Sequence, residues 1–416
     1  MTAARGTGSP RDEGGLLVRG GRLFIGEAAY AEASVRIEDG VIAEVSSDLT
    51  PRPGERVIDA AGRVVTPGLI DAHFHAYAIT LDSEPIERTL LSYVSLRAQH
   101  RLHDALRRGF TTVRDPAGGD AGLGRAIAEG WIASPRYLYT GAALSQTGGH
   151  GDYRSGDSEV CVHDGRTVEV VDGVDALRVA VRERFRGGAH AIKIMTSGGV
   201  VSPVDPIRVP QYSAEEIRAV VEEAARRGSY VAAHAYSPEA IAHSVRNGVR
   251  SIEHGNLLDA ATARLMAEAG AVLVPTLGAY DAMERLGDAL GLSQVAQAKN
   301  REVLEAGGEA VRLALDAGVT VGFGSDNMGD LVSEQLVGIR LLAEATSPLD
   351  ALRAVTAGNA RVLQRDDLGR IAVGAAGDLV LWDADPSTDI DTIADASRPR
   401  TVVQAGRIAA TDGRTA

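Results

Sequence analysis

Pro67-Gly68-Leu69-Ile70-Asp71-Ala72-His73-Phe74-His75 is the stretch on which the reading of this chain turns. A short apolar run ends in two histidines one residue apart. Along a strand, residues i and i+2 share a face, so both imidazoles can reach one ion. The pair alone says little: ten histidines in 416 residues would produce His-x-His somewhere by chance roughly one time in four. Its position gives it weight, because a (β/α)8 barrel keeps its chemistry at the carboxyl ends of its strands.

Outward from that stretch, the middle of the chain repeats one unit. Residues 69–75, 111–115, 137–142, 191–195, 230–235, 251–254, 272–276 and 321–326 are short β-favouring runs. Helix-like segments separate several of them, such as 214–227, which closes at Gly228 as a C-terminal cap should. Eight such units predict a closed α/β TIM barrel over 67–364. The flanks read differently. Leu16-Leu17-Val18, Val35-Arg36-Ile37 and Val41-Ile42-Ala43-Glu44-Val45 are strand-like, with Asp39-Gly40 as a hairpin turn. Gly377-Asp378-Leu379-Val380-Leu381-Trp382 and Thr401-Val402-Val403-Gln404 repeat that chemistry at the far end. The economical arrangement joins 1–66 and 365–416 into one small β-sandwich, with the barrel inserted between them.

Composition sets the outer bounds. Apolar residues make up 44% and charged residues 24%, which excludes global disorder. With 48 glycines, five Phe and two Trp, the core must rest on Ala, Val, Leu and Ile, residues that suit buried parallel strands. A net charge of -13 argues against nucleic acid, which needs clustered Lys and Arg. It does not identify a cationic substrate, since a negative surface also simply keeps a protein soluble. Cys161 is the only cysteine, so no intrachain disulfide can form. Residues 1–15 show no signal peptide, and no segment resembles a membrane span. The expectation is a cytoplasmic enzyme whose first fourteen or so residues are frayed.

Strand ends then serve as a sieve for metal ligands. Lys193 lies in the fourth strand within Ala191-Ile192-Lys193-Ile194-Met195. Burial disfavours its charge and lowers its pKa, so the neutral amine can add carbon dioxide and present a carbamate to two metals. The plainer alternative is a lysine paired with a buried carboxylate. His234 ends the fifth strand and His254 the sixth, a placement that fits ligands of a second metal better than two unrelated core histidines. Asp326 ends the eighth, where a carboxylate can bind metal and accept a proton from water. His150 sits in the Gly148-Gly149-His150-Gly151-Asp152 loop after the third strand and reads as a substrate contact. His100, His103, His163, His190 and His243 lack strand-end placement and read as structural or solvent-facing.

Together, residues 67–75, Lys193, His234, His254 and Asp326 resemble the binuclear amidohydrolases. Thr111-Thr112-Val113-Arg114-Asp115, Ile252-Glu253-His254-Gly255 and Gly374-Ala375-Ala376-Gly377-Asp378 look like further blocks of that superfamily. Ser145-Gln146-Thr147-Gly148-Gly149-His150-Gly151-Asp152, with Ile192-Lys193-Ile194-Met195-Thr196-Ser197-Gly198-Gly199 and Ser202-Pro203-Val204-Asp205-Pro206, is similar to the prolidase-like branch. That branch includes Xaa-Pro dipeptidases, Arg/Lys carboxypeptidases and ochratoxin-hydrolysing amidases. The resemblance implies two divalent ions, Zn²⁺ the expected one, held by His73, His75, Lys193 as its carbamate, His234, His254 and Asp326. It also implies a small-molecule or short peptide substrate cut at the amide of a C-terminal amino acid, and a homo-oligomer. The family's deaminases usually carry a glutamate soon after the fifth-strand histidine. Here Ala235-Tyr236-Ser237-Pro238 follows, so deamination is disfavoured.

The expected mechanism gives Asp326 and His150 the catalytic work. Asp326 would take the proton of the attacking water and pass it to the leaving amine, while His150 hydrogen-bonds the carbonyl oxygen. Tyr236 is set to meet the substrate carboxylate or, alternatively, to pack at the rim, and Arg208 is a candidate ion-pair partner for that carboxylate. Lactonases, phosphotriesterases and cyclic-amide hydrolases can share the metal set and remain alternatives. A non-catalytic assembly protein would be expected to have lost ligands that this chain keeps.

Overall fold

The structure, a computed structural model, describes residues 15–26, 29–154, 165–202, 205–287, 289–411 and 414–415. Cys161, His163, Pro203, Val204 and the first fourteen residues lie outside them.

Eight parallel units form the barrel. Its strands are Leu69–Asp71, Phe110–Asp115, Arg136–Tyr139 continuing to Ala143–Ser145, Ile192–Met195, Val231–Ala235, Ser251–His254, Val272–Val274 and Thr320–Val321. The third is split. Gly141 takes a left-handed φ of 71°, a conformation open to glycine without a Cβ clash. Before that kink the strand pairs with Phe110–Asp115, and after it with Ile192–Met195 through Ile194 and Leu144. An additional short strand, Val168–Val170, lies parallel to Ala143–Ser145. The eighth strand is regular only at Thr320–Val321, shorter than the run 321–326 suggests. The chain nevertheless closes the barrel: Ala72 N–H donates to Phe323 O (2.9 Å) and Asp326 N–H to His73 O (2.8 Å). The buried Asp71 carboxylate locks the same seam, accepting the amides of His73 and Ser325.

Helices cover the outside, each with local reasons for its ends. Ala214–Ala225 begins at a capping box in which Ser213 and Glu216 satisfy each other's backbone amides. It is followed by Gly228 at φ 65°.

The two ends of the chain meet in one nine-stranded sheet. Leu379–Trp382 pairs antiparallel with Val64–Pro67 on one side and with Arg400–Gln404 on the other. Asp39 and Gly40 both take positive φ, 49° and 80°, as the hairpin reading requires. Alternation divides the sheet's two faces. Leu379, Leu381 and Val403 join Leu16, Val18 and Val35 in a core of their own. Val380, Trp382 and Val402 point the other way, into the core that fills the barrel. The chain passes from this sheet to the barrel between Pro67 and Leu69, which places His73 and His75 at the opposite, open end. Among the described residues no helix is long and apolar enough to cross a membrane.

Candidate metal centre

His73, His234 and His254 are each aimed by the backbone that carries them and by a partner on one ring nitrogen. His73 Nδ1–H donates to Glu253 Oε2 at 2.7 Å. A carboxylate only accepts, so this bond assigns the proton to Nδ1 and leaves the Nε2 lone pair facing the barrel mouth. Glu253 is itself held by Arg114 Nη2 at 2.6 Å and by Ser251 Oγ at 2.6 Å. His234 is fixed in the opposite sense, its Nε2–H donating to Gly198 O at 3.2 Å and leaving Nδ1 free. His254 Nδ1 lies 2.8 Å from Thr276 Oγ1 and 2.9 Å from the Tyr280 hydroxyl.

The inward atoms converge. His75 Nε2 is 2.9 Å and His73 Nε2 3.5 Å from Asp326 Oδ1, and the His254 nitrogen shared with Thr276 and Tyr280 also lies 3.7 Å from Asp326 Oδ2. Ring centres of His73 and His254 stand 5.1 Å apart, and those of His234 and His254 4.4 Å apart. His73, His254 and Asp326 each offer a ligand atom within 4.8 Å of the others. Lys193 is buried and lines the same cavity. His254 and Asp326 both sit at left-handed φ, 73° and 52°, a conformation that costs of order 1–3 kcal/mol and concentrates at functional sites.

Burial and neighbouring charges set the protonation of the cluster. Burial drives the imidazoles of His73 and His234 well below the usual histidine range and brings His254 down to about 3. Neutral imidazole is the form that binds metal. Burial likewise lowers Lys193 to about 8. For His75, burial works against charge, but Asp115 and Asp326 outweigh it and raise the ring to about 9. Asp326 is pulled below the ordinary carboxylate range, because its neighbours His73, His75 and His254 outweigh the effect of burial. Crowded, desolvated nitrogen and oxygen donors with free lone pairs fit divalent cations.

The cluster floors a cavity of about 770 Å³ at the barrel mouth, which His150 and Tyr236 also line. His150 Nδ1–H donates to the buried Asp205 at 3.1 Å, and its ring stacks on His234 at 4.3 Å. Tyr236 stacks on His254 at 5.0 Å, and its hydroxyl is bonded to that of Tyr280 at 2.8 Å. Arg208 is not brought to the cavity. Its guanidinium pairs with Glu302 on the outside, 57% exposed. His190 and His243 bond to the carbonyls of Leu363 and Tyr212, and His100 is exposed beside Asp104; none of these lines the cavity.

Sequence reasoning missed the groups that aim the cluster. Glu253 and Arg114 lay inside recognised blocks, yet nothing in their spacing says that they meet. Asp205 likewise lay within the 202–206 segment without a role being read from it, and Tyr280, on helix Leu277–Leu286, carried no signal.

Known proteins resemble this chain along most of its length. The amidohydrolase family model matches residues 64–409. Ochratoxinase of Aspergillus niger is 30% identical over 402 residues, covering 90% of this chain and 82% of that protein. A prolidase solved in complex with N-methylphosphonate-L-proline shares 41% identity at a TM-score of 0.91, over 95% of this chain and 99% of the other. A Xaa-Pro dipeptidase with methionine bound in its active site shares 28% identity at a TM-score of 0.84, over 95% and 99%. The chain therefore belongs to the amidohydrolase family, on its prolidase-like branch, and is a hydrolase of amide or peptide C–N bonds.

Proposed function

We propose that this hydrolase is binuclear and metal-dependent, cleaving the amide bond to a C-terminal amino acid in dipeptides or N-acyl amino acids. One observation supports the reading: His73, His254 and Asp326 each place a ligand atom within 4.8 Å of the others at the barrel mouth, with His75 against Asp326 and His234 and the buried Lys193 lining the same cavity. His73, His75 and Asp326 would hold one ion and His234 and His254 the other, with Lys193 between them. Zn²⁺ is the ion we expect. Bound divalent cations supply Lewis acidity toward a carbonyl and bring the pKa of water from 15.7 down to about 7.

This chain's own groups do the rest. The Lys193 amine, partly neutral near pH 8, attacks carbon dioxide, loses one proton and becomes a carbamate with two ligand oxygens. Asp326, ionised at neutral pH by its histidine neighbours, accepts the proton of the attacking water. It then delivers that proton to the departing nitrogen, which otherwise leaves poorly. Held by Asp205 through Nδ1 and lining the cavity, His150 is the donor we assign to the carbonyl oxygen as charge builds. Losing one such donor costs on the order of 10²–10³ in rate. Tyr236 lines the cavity and is the group we assign to the substrate carboxylate. Arg208, facing outward, is left out of the assignment.

The test is a library of Xaa-Pro, Xaa-Arg, Xaa-Lys and N-acyl amino acids, assayed with metal-loaded enzyme for release of the C-terminal amino acid. Cleavage should require a free carboxylate, and the C-terminal amides of the same compounds should be poor substrates. Preferential turnover of lactones, phosphotriesters or cyclic amides would overturn the assignment.

A further inference from the structure

Two loops meet above His234. The His150 ring is pressed between His234, whose ring centre is 4.3 Å away, and Gly199. A Cβ built on Gly199 would fall 2.0 Å from His150 Cε1, so only a glycine lets that backbone pass. The same loop supplies Asp205, whose Oδ2 accepts both His150 Nδ1–H (3.1 Å) and Gly199 N–H (2.9 Å). Nothing in these contacts anchors the loop to the barrel wall.

Lys299 does. It stands on helix Gln294–Asp316, about a hundred residues further along the chain. Its ammonium reaches across to donate to Gly199 O at 3.0 Å, Ser202 O at 2.7 Å and Asp205 O at 2.7 Å. A lysine has three N–H donors, and each is matched to a carbonyl of this one loop. The nitrogen is also 4.0 Å from Asp205 Oδ1, and the side chain is only 14% exposed. Buried carbonyls without donors are costly, so the loop conformation depends on this ammonium.

We infer that Lys299 is a positioning residue for the hydrolysis. It ties Gly199, Ser202 and Asp205 together so that Asp205 and Gly199 hold His150 over the reaction centre. The inference rests on the donor role proposed above for His150. Lys299 touches neither substrate nor the metal-binding side chains; it acts through Asp205.

The experiment is a double-substitution cycle on metal-loaded enzyme, with Lys299→Met, His150→Ala and both together. Lys299→Met should lower kcat by about 10- to 100-fold, the usual effect of an outer partner. Metal content should stay at the native value and KM should change little. In the His150→Ala background it should lower kcat no further, since both changes remove the same interaction. Lys299→Arg keeps the charge but cannot converge its planar donors on one point, so it should recover only part of kcat. A readout free of activity is the Nδ1–H resonance of His150 in ¹⁵N-histidine-labelled protein, which should shift in Lys299→Met and not in the surface control Arg312→Met. Losses that multiply in the double variant, or an unshifted resonance, would overturn the inference alone. Full kcat in His150→Ala would overturn the donor role itself, and the inference with it.

Discussion

Glu253→Gln tests the frame around the metal centre without touching a proposed ligand. The carboxylate and its Arg114 partner are both fully buried. Three donors converge on it: Arg114 Nη2 at 2.6 Å, His73 Nδ1 at 2.7 Å and Ser251 Oγ at 2.6 Å. An amide keeps one acceptor oxygen, so Arg114 and His73 would share a neutral carbonyl in place of a carboxylate oxygen while Ser251 turns to accept from the NH2 group. Burial opposes charge on Arg114, but the Glu253 carboxylate more than compensates and holds the guanidinium protonated. With that carboxylate gone, the cation remains desolvated without a counter-charge. Removing one partner of such a pair costs about 3–5 kcal/mol, against a total stability of roughly 5–15 kcal/mol. The assay is urea unfolding of chelator-treated protein, followed by the fluorescence of Trp382, which is fully buried in the core. His73 would also lose its strongest orienting partner, so metal affinity should fall by about 10- to 100-fold in competition with a chromophoric chelator. Adding Arg114→Met should recover part of the stability, because the stranded cation disappears with it. An unchanged urea midpoint together with native metal affinity would refute the reasoning.

Three further outcomes follow from the site. Burial lowers Lys193 to about 8, so below that pH each unit of increase raises its neutral amine about tenfold; at fixed carbon dioxide, reactivation of apo-enzyme by metal should speed up from pH 6 to 8 and then level off, and a flat profile would argue against the carbamate. Asp326→Asn should retain metal yet lose at least about 10²-fold in kcat, and near-native turnover would clear Asp326 of proton transfer. Tyr236→Phe should raise KM for carboxylate-bearing substrates by about tenfold or more, as expected for a lost hydrogen bond to a charged group; an unchanged KM would return the ring to packing against His254 and Tyr280.

What the sequence made legible was periodic or local. His73 and His75 announce themselves because strand alternation puts i and i+2 on one face, and Asp39-Gly40 because a two-residue hairpin demands positive φ at both positions. The kink at Gly141 stayed hidden, since one glycine among 48 does not say which of them bends a strand. The short eighth strand was overdrawn for a related reason: Asp326 leaves β geometry at φ 52°, as a strained functional residue can. Arg208 shows the limit of choosing a partner by sequence position. It lies close along the chain to the ligand strands, but Glu302, 94 residues away, takes its guanidinium. Glu253 with Arg114, and Lys299 with the 199–205 loop, are contacts between distant segments. No spacing rule reaches them.

We propose that two divalent cations shared by His73, His75, Lys193, His234, His254 and Asp326 drive amide hydrolysis. The most direct measurement is a Zn²⁺ titration of chelator-treated protein in bicarbonate, with bound metal and release of the C-terminal amino acid followed together. Turnover should be nil at zero metal and reach its full value at two ions per chain. Undiminished hydrolysis by protein shown by elemental analysis to be metal-free would contradict it.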